Sequence, residues 1–191
     1  MSQRTTSPPR AGRHFLGLAL TESLRRALRA HLNPVDLSGR KVSSKDWHVT
    51  LRYLGEPQPE PLETLRGALG PEGLGPQFNI AFSRLGAFPD PERAGILWLG
   101  IGDGTAALTA LAARVESASR RAGFPAEHRP YAPHVTLSRL RPQADVRPLV
   151  ERVPAFSERM AVEAVVLFRT GHGRGLGHYE EVERFPLAAP P

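Results

Sequence analysis

The tetrapeptide His-Val-Thr-Leu occurs twice in the chain, at residues 48–51 and at residues 134–137. On a β-strand, residues i and i+2 project from the same face, so each copy presents an imidazole and a hydroxyl together while Val and Leu face the opposite side. Imidazole has an unperturbed pKa of about 6.5, so one ring can be neutral and another cationic near neutral pH. Two such strands facing each other across a groove would make a candidate acid–base pair, formed by His48 and Thr50 on one side and by His134 and Thr136 on the other.

This set of side chains is suited to displacement at phosphorus. A neutral imidazole can activate a water molecule, a cationic imidazole can protonate the leaving oxygen, and threonine hydroxyls can donate to the non-bridging oxygens. In-line attack needs the acid and the base on opposite sides of the phosphate, which a groove with pseudo-twofold symmetry provides. The chemistry needs no metal ion and no cofactor, and the other histidines lack ligand spacing such as His-Glu-x-x-His.

Size and composition limit the classes of protein that the chain can represent. Its 191 residues, 40% of them hydrophobic, suit one domain or two small lobes with a shared core. The absence of Cys excludes disulfides and thiolate chemistry. No apolar run approaches about 18 residues, and the N-terminus lacks the apolar segment of a signal peptide, so we expect no membrane span and a cytoplasmic location. The net charge of +6, almost all from arginine, favours a polyanionic partner such as RNA.

Apolar periodicity predicts the same order of elements in each half of the chain: strand, helix, His-x-Thr strand, helix, strand. Residues 160–168 alternate as a single strand, and the glycine-rich residues 171–177 predict a hairpin loop. The intermixed elements with hairpin-like connections indicate an α+β fold with antiparallel sheet. We expect a disordered basic tail over residues 1–13, one domain over residues 14–191 and a monomer.

The chain resembles the RNA 2′,3′-cyclic phosphodiesterases, formerly called 2′-5′ RNA ligases, of the two-histidine phosphoesterase superfamily. The resemblance runs from about Phe15 to Leu187 and rests on the paired motifs together with residues 48–55, 86–89, 97–100, 129–140 and 179–187. It implies a bilobal, pseudo-twofold fold of two interleaved lobes, with two mainly antiparallel sheets around a central cleft and helices outside. It also implies metal-independent hydrolysis of an RNA 2′,3′-cyclic phosphate to a 2′-phosphomonoester.

The resemblance assigns roles to individual residues. It makes His48 the proton donor to the leaving 3′ oxygen and His134 the base on water, although the identical motifs do not by themselves distinguish the two roles. It makes Thr50 and Thr136 the hydroxyls that hold the phosphate.

The resemblance also implies substrate contacts by Arg139, and it places Tyr131 and Phe15 at aromatic positions that could stack on a base; for both rings, packing at the core or its rim is the alternative. Strict alternation conflicts with the role of Arg139, because it places this side chain on the face of Val135, away from the groove. Alternation places Arg52 on the face of His48. A bulge or the end of the strand must redirect Arg139 if it is to reach a phosphate.

Two other functions remain open from the sequence. The same site could work in reverse as an ATP-independent 2′-5′ RNA ligase, with a ribose hydroxyl in place of water. A non-catalytic, basic RNA-binding module would instead bind RNA in a salt-dependent way without turnover.

Overall fold

The computed structural model describes residues 12–170 and 179–189, which contain nine strands and five α-helices. The strands are β1 (His14–Ala19), β2 (Arg40–Lys41), β3 (His48–Gly55), β4 (Phe78–Phe88), β5 (Ala94–Ile101), β6 (His134–Ala144), β7 (Arg159–Val162), β8 (Ala164–Thr170) and β9 (Tyr179–Pro186). The helices are α1 (Glu22–Leu32), α2 (Pro59–Ala68), α3 (Pro71–Leu74), α4 (Thr105–Arg121) and α5 (Arg147–Arg152), and 3₁₀ turns occupy Ser44–Asp46 and Pro91–Arg93. The predicted α+β class is confirmed.

The described strands form one sheet in the order β7-β4-β5-β6-β3-β1-β8-β9, with β2 added to the edge of β6. Four strands lie on each side of its centre, where β3 and β6 are joined through a single antiparallel residue pair, Val49 with Val135. The two expected sheets are therefore continuous through this one pair. Strands are also exchanged between the halves of the chain, because β4 pairs with β5 and β8 pairs with β1.

Residues 160–168, which alternate as a single strand in the sequence, form two strands. β7 ends at Val162 and pairs with β4, whereas β8 begins at Ala164 and pairs with β1. Glu163 lies between them, and its carbonyl accepts a hydrogen bond of 2.8 Å from the backbone N–H of Leu187. The apolar alternation continues unchanged across Glu163, so the sequence carries no signal for this change of partner strand.

The helices cover the sheet face that carries the apolar residues of the two motifs. The hydroxyl of Thr21 caps α1 by accepting a hydrogen bond of 3.3 Å from the N–H of Leu24, and the leucines at i, i+4 and i+8 along this helix are buried. The buried residues of β3, β6 and α4 belong to one apolar cluster that draws on both halves of the chain: Val49, Leu51, Leu108, Leu111, Val115, Val135 and Leu137. The opposite face of the two central strands is left to the histidines and threonines.

The ends of the chain lie partly outside the described residues. Arg13, predicted as part of the tail, pairs with the end of β8: its N–H donates to the hydroxyl of Thr170 (2.9 Å), and its carbonyl accepts from the N–H of Thr170 (2.8 Å). Residues 1–11 of the predicted tail and the predicted glycine-rich loop at residues 171–177 are outside the described residues. Within the described ranges, none of the helices is long and apolar enough to cross a membrane.

Candidate active site

The two copies of the motif meet at the centre of the sheet. In an antiparallel register centred on Val49 and Val135, His48 lies nearest Thr136 and Thr50 lies nearest His134. Both valines are fully buried, so the histidines and threonines that flank them project from the other face. The structure thus brings together the four side chains that the sequence singled out, with an imidazole at each end of the arrangement.

The two imidazoles are held in the same tautomer by the same kind of contact. Nδ1 of His48 lies 2.6 Å from the carbonyl oxygen of Asp46, and Nδ1 of His134 lies 2.7 Å from the carbonyl oxygen of Ala132. A carbonyl oxygen only accepts, so Nδ1 carries the hydrogen in both rings and Nε2 is the atom left for chemistry. Nε2 of His48 is 3.1 Å from the hydroxyl of Thr50, which donates to it while the ring is neutral.

Burial lowers the pKa of both imidazoles. It lowers the pKa of His48 from 6.5 to about 4; the carbonyl of Asp46 opposes this effect, while the positive charges of His134 and Arg139 add to it. Burial also lowers the pKa of His134, again opposed by a carbonyl, that of Ala132, and reinforced by Arg139. Both rings are therefore neutral near neutral pH in the free protein, and an anion bound between them would raise both pKa values.

A bulge in each central strand changes the faces that alternation predicts. In β3, Thr50 and Arg52 pair with consecutive residues of β1, so Leu51 is the extra residue. In β6, Thr136 and Ser138 pair with consecutive residues of β5, so Leu137 is the extra residue. Each bulge moves the following side chains to the opposite face.

The second bulge turns Arg139 to the face of the sheet that carries His48, Thr50, His134 and Thr136, called the cleft from here on. This arginine is exposed, and its charge adds to the effect of burial in lowering the pKa of both active-site imidazoles. Burial raises the pKa of Tyr179, and the charge of Arg139 opposes that shift. The conflict between its expected role and strict alternation is thus resolved by the bulge at Leu137. Tyr53, at the equivalent position of β3, is likewise 44% exposed and opposes Phe15 on β1.

The first bulge turns Arg52 away from the cleft, so the prediction that it shares the face of His48 is wrong. Its side chain is buried and forms an ion pair with Glu116 of α4. It also donates to the carbonyl of Tyr53 (2.8 Å) and to the carbonyl of Pro125. Arg52 therefore ties β3 to α4 and to the segment that leads into the second motif.

Aromatic rings enclose His48. The ring centroid of Phe15 lies 4.6 Å from the imidazole, that of Phe168 lies 5.6 Å away, and that of Tyr179 lies 5.0 Å away with its plane perpendicular to the imidazole. The backbone N–H of Tyr179 donates to the carboxylate of Asp46 (3.1 Å), whose carbonyl holds the same imidazole. β8 and β9 thus reach His48 through side chains that motif reasoning gave no role.

A second aromatic wall stands beside His134. Phe88 meets the imidazole edge-on at 5.0 Å, and the indole of Trp98 lies 6.1 Å away. The indole lies across β4 at Gly86, where an added Cβ would overlap its six-membered ring. Phe88, Trp98 and Tyr179 all fall in the segments that carry the family resemblance, and that was the only signal in the sequence that could have identified them.

The two aromatic residues expected to stack on a base have other contacts in the structure. Phe15 is 4% exposed and packs against His48, Phe168 and Tyr179, so its ring belongs to a buried aromatic cluster. Tyr131 packs against the main core. Burial raises the pKa of its phenol, which has no hydrogen-bond partner within residues 12–170 and 179–189. Stacking of either ring on a base stays a prediction.

Comparison with known proteins gives consistent matches. The sequence model of the 2′-5′ RNA ligase superfamily matches residues 26–174 of this chain. The RNA 2′,3′-cyclic phosphodiesterase of Geobacillus stearothermophilus is 30% identical over 184 residues, which are 93% of this chain and 58% of that protein. The protein of the same name from Aeropyrum pernix is 33% identical over 112 residues, which are 59% of this chain and 63% of that protein. The chain thus spans less than two thirds of the length of these two relatives.

The fold is also similar to a solved structure. The crystal structure of Escherichia coli LigT complexed with 3′-AMP superimposes with a TM-score of 0.79 at 26% sequence identity. The similarity covers 92% of this chain and 98% of LigT.

Proposed function

Because the chain belongs to the 2′-5′ RNA ligase superfamily, we propose that it hydrolyses RNA 2′,3′-cyclic phosphate ends to 2′-phosphomonoesters without a metal ion. The observation that carries this proposal is the central pair of strands, in which two imidazoles lie on one face of a single antiparallel contact, each with Nδ1 held by a backbone carbonyl so that Nε2 is the atom turned to chemistry. Proteins named RNA 2′,3′-cyclic phosphodiesterase among its relatives support the choice of substrate.

The proposed reaction is one in-line displacement. Nε2 of His134 takes a proton from water, and the water oxygen forms a bond to phosphorus. The bond from phosphorus to the 3′ oxygen breaks, and the proton on Nε2 of His48 moves to that oxygen. The hydroxyls of Thr50 and Thr136 donate to the non-bridging oxygens, and the guanidinium of Arg139 offsets their charge.

The difference between the two imidazoles supports this division of roles. A cation with a lower pKa is the stronger acid, and a neutral base with a higher pKa is the stronger base. The pKa of His48 is lowered to about 4, further than that of His134. Once an anion has caused it to protonate, His48 is therefore suited to give its proton to the leaving oxygen, while His134 is suited to accept one from water.

Product analysis on an oligoribonucleotide with a 2′,3′-cyclic end tests the proposal. We expect a 2′-phosphate product, formed at the same rate in EDTA, and a loss of about 10²–10⁴-fold in kcat/KM for either His48→Ala or His134→Ala. A 3′-phosphate product would overturn the leaving-group assignment. Full activity in either variant would overturn the catalytic pair, and loss of activity in EDTA would overturn metal independence.

Ligation is the competing outcome, since the family name includes it. The nucleophile would then be a 5′-hydroxyl of a second RNA rather than water. Incubating RNA halves with cyclic and 5′-hydroxyl ends in the absence of nucleotide reveals a joined product if the site works in that direction.

A further inference from the structure

β2 places a second arginine directly opposite Arg139. The two-residue strand pairs antiparallel with β6, and Arg40 is the Cα partner of Arg139. Directly opposed residues share a face and lie about 4.5–5.5 Å apart between Cα atoms. Since Arg139 is turned to the cleft by the bulge at Leu137, Arg40 stands on the same face, at the edge of the candidate active site.

The fold holds this pair of like charges in place. The hydroxyl of Ser138 donates to the carbonyl of Ser38 (2.7 Å), and the N–H of Val42 donates to the carbonyl of Leu137 (2.8 Å). Between these contacts Gly39 has a φ of +78°, and an added Cβ would press against the carbonyl of Arg139. Hydrogen bonds therefore join the segment that contains β2 to β6 on both sides of Arg40.

Within the described residues, no protein group neutralises either of these two charges. Arg40 and Arg139 are both exposed, and neither has an ion-pair or hydrogen-bond partner among the residues that the structure describes. Like charges directly opposite each other on a sheet are destabilising. Two unpaired guanidinium groups in this position are stabilised together by an anion with more than one phosphate, which arginine forks bind well.

Lys41, the neighbouring cation on β2, differs from Arg40 in the face of the sheet on which it lies and in having an ion-pair partner. Lys41 is the Cα partner of Ser138, which is fully buried on the face opposite to the cleft. Its ammonium lies 3.6 Å from the carboxylate of Asp36. Lys41 therefore carries the same charge one residue away, but it is paired and on the other face.

We propose that Arg40 binds the phosphodiester that precedes the reacting end of an RNA strand, while Arg139 binds the reacting phosphate. This proposal rests on the proposed function and adds to it a preference for an oligonucleotide over a mononucleotide. In this arrangement the RNA strand leaves the cleft across the contact of β2 with β6. Arg40 then contacts the phosphate backbone of the RNA rather than its bases.

The test compares a nucleoside 2′,3′-cyclic phosphate, which has no preceding phosphodiester, with a short oligoribonucleotide that ends in the same group. For Arg40→Gln we expect the ratio of oligonucleotide to mononucleotide kcat/KM to fall about two- to fivefold. The plot of log kcat/KM against log salt concentration for the oligonucleotide has a negative slope, and its magnitude should become smaller by about 0.7. Lys41→Gln, the matched control, should leave both the ratio and the slope as they are in the wild type.

Three outcomes would overturn the proposal. If Arg40→Gln lost kcat/KM equally on both substrates, Arg40 would act on the reacting phosphate. If kcat/KM changed on neither substrate, Arg40 would be a solvated surface charge. If Lys41→Gln showed the same loss as Arg40→Gln, the effect would be a diffuse one of net charge. Equilibrium binding of an oligoribonucleotide with a 2′-phosphate end, followed by fluorescence anisotropy, gives a readout without turnover. Weaker binding by Arg40→Gln in a protein that hydrolyses neither substrate would support the RNA contact and reject the proposed hydrolysis alone.

Discussion

His48 should change its protonation state when an anion occupies the cleft. In the free protein its pKa is about 4, mainly because the ring is buried. One negative charge about 4 Å from the imidazolium contributes about 4 kcal/mol at an effective dielectric constant of about 20. Since a tenfold change in an acid dissociation constant corresponds to about 1.4 kcal/mol, this attraction raises the pKa of His48 to about 7. A substantial fraction of the complexes would then carry the cationic acid that the proposed reaction needs.

An NMR titration of the imidazole signals measures this change directly. Sulfate is the suitable anion because it keeps its charge across the titration, and the missing signal in His48→Gln provides the assignment. The midpoint for His48 should move from about 4 in the free protein to about 7 or higher with sulfate bound, because one negative charge already raises it to about 7 and sulfate carries two. His14 is the internal control, since its pKa is lowered by burial and by Arg169 and Arg66 rather than by cleft residues, and its midpoint should not move.

Two results would refute this reasoning. A midpoint near 6.5 for His48 in the free protein would show that burial does not control its charge. A midpoint that stays below about 5 with sulfate bound would show that His48 cannot serve as the acid near neutral pH.

The same lowered pKa sets the sign of a pH dependence of stability. Below its ordinary pKa of 6.5 the unfolded chain protonates His48, whereas the folded chain leaves it neutral down to about 4. The unfolded state binds more protons in this window, so the free energy of unfolding falls as the pH falls, by about 3 kcal/mol in total. Urea unfolding of the wild type and His48→Gln across the window isolates this contribution, and identical pH profiles for the two proteins would contradict it.

Three further predictions concern the groups around the cleft, and urea unfolding checks each. Gly86→Ala should lower the free energy of unfolding by about 1–3 kcal/mol, because its Cβ would overlap the indole of Trp98; unchanged stability would show that the indole moves aside freely. Arg52→Leu should cost about 3 kcal/mol by leaving the carboxylate of Glu116 without its partner, and adding Glu116→Leu should recover most of this loss; additive losses would argue against the ion pair. Tyr131→Phe should raise stability by about 1 kcal/mol, since it removes a buried hydroxyl with no partner in the described part of the chain; a loss would reveal a hydrogen bond to that hydroxyl.

The sequence was sufficient to predict the four central side chains of the site. Alternation around Val49 and Val135 assigns the valines to the core and the histidines and threonines to the other face, and the structure has this arrangement. The prediction works there because the period of a strand is fixed as long as one residue faces one residue.

The same reasoning fails beyond the extra residue in each strand. The bulges at Leu51 and Leu137 exchange the faces of Arg52 and Arg139, which places one arginine in the core and the other at the cleft. The extra residue in each bulge is a leucine, which is equally at home in a regular strand. The sequence pattern therefore does not reveal where the bulge lies. The family resemblance assigned Arg139 to the cleft where local pattern did not.

The aromatic residues beside His48 could not be predicted from the local sequence pattern, for a different reason. Phe168 and Tyr179 approach His48 only because β8 pairs with β1, although more than 100 residues separate them from the motif. Apolar alternation identifies a strand but not its neighbour, and the break at Glu163 shows that even a continuous pattern can serve two different neighbours. Strand order therefore had to come from the structure.

The two tetrapeptides are identical, yet the structure makes their imidazoles unequal through residues outside them. The carbonyl two residues before each histidine holds Nδ1 in both copies, but only Asp46 also carries a carboxylate, which binds the N–H of Tyr179 and brings that ring against His48. Ala132 has no such group, and His134 keeps a less strongly lowered pKa. A symmetric pair of strands thus supplies the placement that in-line chemistry requires, and the unequal burial of the two rings supplies the difference in acidity that separates a proton donor from a proton acceptor.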